Sequence, residues 1–294
     1  MIEEYYRRVE EVLNSFPKEC QKNYYENKKT LKIEKMEIDI PNITGTYDPE
    51  ENSISLKEED AFPHELFHMA FRDLEKVEQE MDESGDFIYE NGIAYRFKTE
   101  EGNSIIRGKG LVEGFAEYLS RKCCSSIGHQ YLYFFTDLLI SIHGEDIVNY
   151  PLKNDVEGFY EDTRFFDIFK VVRTLDCVKD YVNLLKRLVS EKNMIEEYMK
   201  VAPHEEKIKL SKAILSSRSG FQKSIIDSYK VIIEEFENTL NPKISKEDLV
   251  IKLNEFFDNQ DYNIVLMFDN EDFSLTDKIK LIIANFSESK QKQI

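Results

Sequence analysis

The chain has 294 residues, of which 57 are Asp or Glu and 39 are Lys or Arg, giving a formal net charge of -18; 41% are hydrophobic and 33% charged. This composition is globular rather than disordered, and the length suffices for a full hydrophobic core and two lobes. So acidic a balance excludes nucleic acid and an anionic membrane surface as expected partners, because both are bound through cationic surface.

The first residues, MIEEYYRRVEEVL, carry acids where a secretion signal needs a basic start and an apolar run. The longest strongly apolar stretch, 131–142, is shorter than a membrane span and contains Asp137. Cys20, Cys123, Cys124 and Cys177 are too few and too scattered for a disulfide framework, so reduced thiols are expected. Together these features predict a cytoplasmic protein, with leaderless export left open.

Residues 2–16 and 18–29 read as helices. Residues 31–40 (LKIEKMEIDI) alternate apolar and charged like a half-buried strand ended by Pro41. Residues 43–47 and 53–56 flank the turn-rich Asp48-Pro49-Glu50-Glu51-Asn52 and are expected to pair. Asp60 can cap a helix whose first turn accepts Pro63. Asn91-Gly92 predicts a hairpin over 87–97 closed by a type I′ turn. A boundary at Tyr150-Pro151 divides a lobe of residues 1–150 from one of residues 151–294. Nine of the 11 glycines lie between Gly85 and Gly158 and only Gly220 follows, so the second lobe reads as helical. There Phe221, Ile225, Tyr229, Ile232, Phe236 and Leu240 mark one helix face, with Ser219 and Gln222 as a capping box at its start and Asn241-Pro242 as its end. Asp162, Ser245 and Ser274 read as further N-caps, and Pro203 suits the first turn of another helix.

The chemistry is concentrated in Asp60-Ala61-Phe62-Pro63-His64-Glu65-Leu66-Phe67-His68-Met69-Ala70. On a helix His64 and His68 stand one turn apart on the same face, so both imidazoles can reach one metal ion. Zinc (Zn2+) suits imidazole and carboxylate ligands in a tetrahedral site, and a position left open for water makes such a site catalytic. Glu65 follows the first ligand directly, where it can take a proton from that water as general base. Leu66, Phe67, Met69 and Phe71 give the same helix apolar surface to bury.

Downstream, Gly110-Leu111-Val112-Glu113-Gly114-Phe115-Ala116-Glu117-Tyr118-Leu119 reads as an acid-bearing helix. With His64 to His68 and Glu113-Gly114-Phe115-Ala116, the chain resembles the gluzincin metallopeptidases, the thermolysin-like and aminopeptidase-type families. The resemblance implies Glu113 as third zinc ligand, and Glu117, one turn further on, as the acid that orients His64 from behind. A metal-bound imidazole usually donates its other N–H to such an acceptor. Val112 stands where these families carry asparagine. The 44 residues between His68 and Glu113 exceed the usual gap and are expected to hold a ribbon that overhangs or flanks the cleft, presenting Tyr89, Tyr95 and Phe97 or their neighbours to substrate. These families often stabilise an oxyanion with a tyrosine or histidine; His129, His143, Tyr131, Tyr133, Tyr160 and His204 are all candidates. Arg164 could pair a substrate carboxylate.

The expected fold is therefore α+β: a zincin-like N-terminal lobe, with a small sheet from residues 31–56 over the HExxH helix, then a mainly α-helical C-terminal lobe. The expected function is zinc-dependent hydrolysis of peptide or amide bonds, with a peptide or protein substrate held in extended form at the sheet edge. The alternative is a zincin-like scaffold with a structural or vestigial metal site that binds a basic protein partner. Substrate identity and oligomeric state stay open.

Overall fold

The computed structural model describes residues 2–37, 43–73, 87–89, 91–98, 104–124, 129–163, 165–258 and 275–289. Two helices open it, α1 (Ile2–Leu13) and α2 (Lys18–Lys28). Strands β1 (Lys32–Lys35), β2 (Gly45–Asp48) and β3 (Ser53–Leu56) form a sheet in the order β1-β3-β2, with β1 parallel and β2 antiparallel to β3. The expected pairing of the segments around Asp48 to Asn52 is present. Asp48 Oδ1 accepts from the N–H groups of Glu50 and Glu51 at 2.8 and 3.2 Å, and Asn52 takes the left-handed conformation at φ 47°. β1 departs from expectation: all four residues are exposed. As an edge strand it has, among the described residues, only β3 beside it, and its alternating residues find no second layer there to face. Residues 38–42, where that strand was expected to continue and end, lie outside the described residues.

A 3₁₀ turn (Glu59–Ala61) runs directly into α3 (Phe62–Ala70). Asp60 therefore caps nothing: it sits within the turn, and Ala61 at the N-cap position is already helical. Strands β4 (Phe87–Tyr89), β5 (Tyr95–Lys98) and β6 (Ser104–Arg107) form a second antiparallel sheet in chain order. The expected hairpin exists, but its connection is not a two-residue type I′ turn. Tyr89 pairs with Tyr95, so the link spans residues 90–94, and only Gly92 of the Asn91-Gly92 pair has positive φ, at 65°. The residues between take another task, because Ile93 and Ala94 are buried.

The rest of the described chain is helical: α4 (Lys109–Cys123), α5 (Gln130–His143), a 3₁₀ turn (Glu145–Val148), α6 (Asn149–Lys153), α7 (Val156–Asp162), α8 (Phe165–Ser190), α9 (Lys192–Val201), α10 (His204–Asn238), α11 (Lys246–Asp258) and α12 (Leu275–Glu288). The described residues are thus broadly α+β, mostly helical, with a helical C-terminal region. Tyr150 and Pro151 lie inside α6, and buried residues from Val9 to Phe286 belong to one hydrophobic cluster. Among the described residues no helix is long and apolar enough to cross a membrane. The four cysteines are free.

Three capping expectations resolve differently. Ser245 does cap α11, accepting from the Asp248 N–H at 3.0 Å. Asp162 instead ends α7, whose cap is Asp155, accepting from the Gly158 N–H at 3.0 Å. Ser219 and Gln222 open no helix, because α10 runs through them. Gly220 sits there for a packing reason: a Cβ on it would lie 2.3 Å from the Tyr181 ring of α8. Pro203 flanks α10 at its start, as proline at a helix entrance should. Ser274 lies outside the described residues.

Candidate metal centre

α3 is apolar around most of its circumference, with Phe62, Leu66, Phe67, Met69 and Ala70 inaccessible to solvent, so it is held as a core helix and not a surface one. The carbonyls at and just past its C-terminus take, besides the capping N–H groups of Phe71 and Arg72, donors from elsewhere in the chain. Asn27 Nδ2 donates to Met69 O at 2.9 Å and to Arg72 O at 2.8 Å. From the 90–94 link, Asn91 Nδ2 donates to His68 O at 2.9 Å and the Gly92 N–H to Phe71 O at 3.1 Å. The link is therefore a clasp on the His64/His68 helix. Tyr95 is buried against Tyr160, ring centroids 5.5 Å apart, and does not face a substrate; the side chains of Tyr89 and Phe97 lie outside the described residues.

α4 brings the acids. Its first turn is capped by another helix: Asp176 of α8 accepts from the N–H groups of Gly108 and Gly110 at 3.0 and 2.8 Å. Gly110 and Gly114 allow close approach. A Cβ on Gly110 would lie 2.3 Å from Leu175 O, and one on Gly114 1.9 Å from Thr136 Oγ1 of α5. So fixed, α4 places Glu113 against α3. His64 Nε2 and His68 Nε2 stand 3.0 Å apart, and each lies 3.2 Å from Glu113 Oε2. Glu117, fully buried, reaches the other side of the first imidazole, its Oε2 3.3 Å from His64 Nδ1, while its Oε1 accepts from Arg121 Nε at 2.9 Å.

Two residues not assigned to this cluster beforehand join it. His129, just before α5, puts Nε2 3.2 Å from the same Glu113 Oε2, its ring centroid 5.4 Å from that of His64. It was one of six oxyanion candidates with no spacing to single it out. Lys179 of α8 donates to Glu113 Oε1 at 2.5 Å, and no sequence signal marked it. The other candidates stand elsewhere: His143 pairs with Glu235 at 2.8 Å, Tyr131 packs on Phe221 in the core, and Tyr133 lies under the Arg121 guanidinium at 3.9 Å. Tyr160 is buried on Tyr95, His204 is exposed at the start of α10, and Arg164 lies outside the described residues.

Electrostatics follow from burial and these pairs. Burial disfavours charge on His64, yet Glu113 and Glu117 outweigh it and raise the imidazole to about 10. Burial resists ionisation of Glu113, but the neighbouring imidazoles and the Lys179 ammonium hold its carboxyl well below the usual range. Glu117 is likewise held at about 2 against burial by His64 and Arg121. His129 is pushed down by burial to about 4 and is neutral at pH 7. Burial raises Glu65, opposed by His64 and by a hydrogen bond from the Tyr47 N–H on the β2 edge.

The donor set suits a metal ion. His64, His68 and Glu113 are the His/Cys/Asp/Glu group that could hold one among the described residues. Their 3.0–3.2 Å separations are close to the roughly 3.3 Å edge of a tetrahedron with ~2.0–2.1 Å bonds, as zinc forms with nitrogen and oxygen. Two imidazoles and one carboxylate leave a fourth position for another ligand. No family model, curated protein or solved structure matches this chain.

Proposed function

We propose that this protein is a zinc-dependent hydrolase of peptide or amide bonds, with a zincin-like arrangement of α3 and α4. The observation that carries the reading is the convergence of His64 Nε2, His68 Nε2 and Glu113 Oε2 within 3.2 Å of one another, with the buried carboxylate of Glu65 on the residue next to the first ligand. His64, His68 and Glu113 would hold the ion, and Glu117 would fix the first imidazole through its second nitrogen. When bound, zinc supplies Lewis acidity to the scissile carbonyl and acidity to the attacking water.

The remaining work belongs to the chain. Burial raises the Glu65 carboxyl above its ordinary value, which makes its carboxylate a stronger base, able to accept the water's proton and return it to the leaving amine. The Tyr47 N–H steadies that carboxylate and places it beside β2, an edge strand able to pair with an extended substrate. His129, neutral and beside Glu113, can donate a hydrogen bond to the carbonyl oxygen as negative charge develops there.

Glu65→Gln tests the reading. It preserves shape and all three ligands while removing the base, so the variant should retain one zinc per chain. Its turnover of a peptide library should fall by about 10²–10⁴-fold or more. Hydrolysis at the wild-type rate in this variant, or a wild-type protein without zinc, would overturn the proposal.

A further inference from the structure

Glu113 divides its two oxygens. Oε2 faces the Nε2 atoms of His64, His68 and His129, each at 3.2 Å, while Oε1 is held by the Lys179 ammonium at 2.5 Å. We infer that Lys179 is a positioning residue that makes Glu113 a one-oxygen ligand and so keeps the fourth coordination position open. The inference rests on the metal-centre reading above and goes beyond it, assigning the coordination number to a side chain 66 residues away in the helical C-terminal region.

The contact is built into the packing of two helices. Asp176 and Lys179 stand three residues apart on α8, and the groups they hold, Gly110 and Glu113, stand three apart on α4. Asp176 pins the start of α4 through two backbone N–H groups, and the absence of a Cβ on Gly110 lets α8 approach to contact with Leu175 O. With that register set, the next turn of α8 carries Lys179 to the carboxylate of Glu113. Both side chains are shielded, 19% and 16% exposed, so the pair is not a loose surface contact.

The chemistry explains why one oxygen matters. A carboxylate can bind a metal through either oxygen or through both, and binding through both consumes a position. An ammonium donating to Oε1 competes for that oxygen and leaves Oε2 alone to the metal. Two imidazoles and one carboxylate oxygen are three ligands, which leaves the fourth position free for water or a carbonyl.

Cobalt-loaded protein tests this without reference to activity, because the visible bands of cobalt(II) are intense at four-coordinate sites and weak at five- or six-coordinate ones. Wild type should show intense four-coordinate bands. Lys179→Met should weaken them as Oε1 turns to the metal, and should lower affinity in a chelator competition by about 10-fold or more. Lys179→Arg, which retains a donor, should keep most of the intensity. Lys170→Met, which removes an exposed ion pair between α8 and Glu234 of α10, should leave the spectrum unchanged. A five-coordinate wild-type spectrum would overturn the inference even if Lys179→Met did not fold, and would leave the metal centre standing. So would a Lys179→Met protein with unchanged bands and affinity. A wild-type protein that binds neither cobalt nor zinc would instead remove the metal-centre reading and this inference with it.

Discussion

Asp176 is the buried joint between the helical C-terminal region and the candidate metal centre, and its removal should be costly in a calculable way. In Asp176→Ala the N–H groups of Gly108 and Gly110, both buried, lose their acceptors at 3.0 and 2.8 Å. Each orphaned donor costs about 1–3 kcal/mol. Part of this is offset, because burial of the carboxylate is itself unfavourable: it raises the Asp176 carboxyl, opposed by the bonds from Gly110 and Gly108. The net expectation is a loss of about 3 kcal/mol in urea denaturation with a chelator present. Asp176→Asn keeps one acceptor and sheds the buried charge, so it should lose only about 1 kcal/mol. The pH dependence has a definite sign. The folded pKa lies above the ordinary 3.8, so this group contributes stability that is fully present below pH 3.8 and lost as pH rises through its folded value. Wild type should therefore gain on Asp176→Asn as the solution is acidified. An Asp176→Ala variant within 0.5 kcal/mol of wild type, on the order of an ordinary surface substitution, would refute the reasoning.

Replacing His64, His68 or Glu113 with alanine should each abolish stoichiometric zinc, measured by metal analysis after dialysis, whereas Glu117→Ala should weaken binding by about 10–100-fold; full zinc retention in Glu113→Ala would remove it from the ligand set. In metal-free protein His64 is raised from 6.5 to about 10, so its charged form contributes stability present below pH 6.5 and lost as pH rises through about 10. Thermal stability in chelator should therefore fall between pH 7 and 10, and zinc-loaded protein should lack that decline; parallel profiles would count against the His64–Glu113–Glu117 arrangement. His129→Ala should keep zinc and lower kcat more than it raises KM, as checked by steady-state kinetics. Cutting residues 87–97 to a short Gly-Ser link should lower the melting temperature and weaken zinc binding together, because the link buries Ile93 and bonds His68 O; an intact zinc site with altered substrate preference would restore the ribbon to a cleft-lining role.

Local patterns in the sequence were enough for several of the elements, though not for β6, and for half of the centre. A four-residue spacing on a helix obliges His64 and His68 to share a face, and the acidic turn at Asp48 obliges the segments on either side of it to pair, since both are consequences of backbone geometry over a few residues. The capping readings at Asp60, Asp162 and Ser219 failed for one reason. A cap residue is defined by where its neighbours cease to be helical, and packing decided that: a 3₁₀ turn led into α3, and α10 ran on past Gly220, whose missing side chain makes room for Tyr181. Gly114 carries the same lesson, because a glycine that belongs to the motif resemblance is also demanded by Thr136 on α5. The rest of the centre was a matter of tertiary structure. Glu113 was named from resemblance alone, since no local period connects it to a helix 45 residues away. Lys179 and Asp176 carry no mark in the sequence, His129 was one of six candidates that no spacing separated, and the places of all three come from how α4, α5 and α8 pack. Such packing is decided by which helix surfaces fit without a Cβ between them, and by which buried charges must find partners, and neither is written in the spacing of residues along the chain.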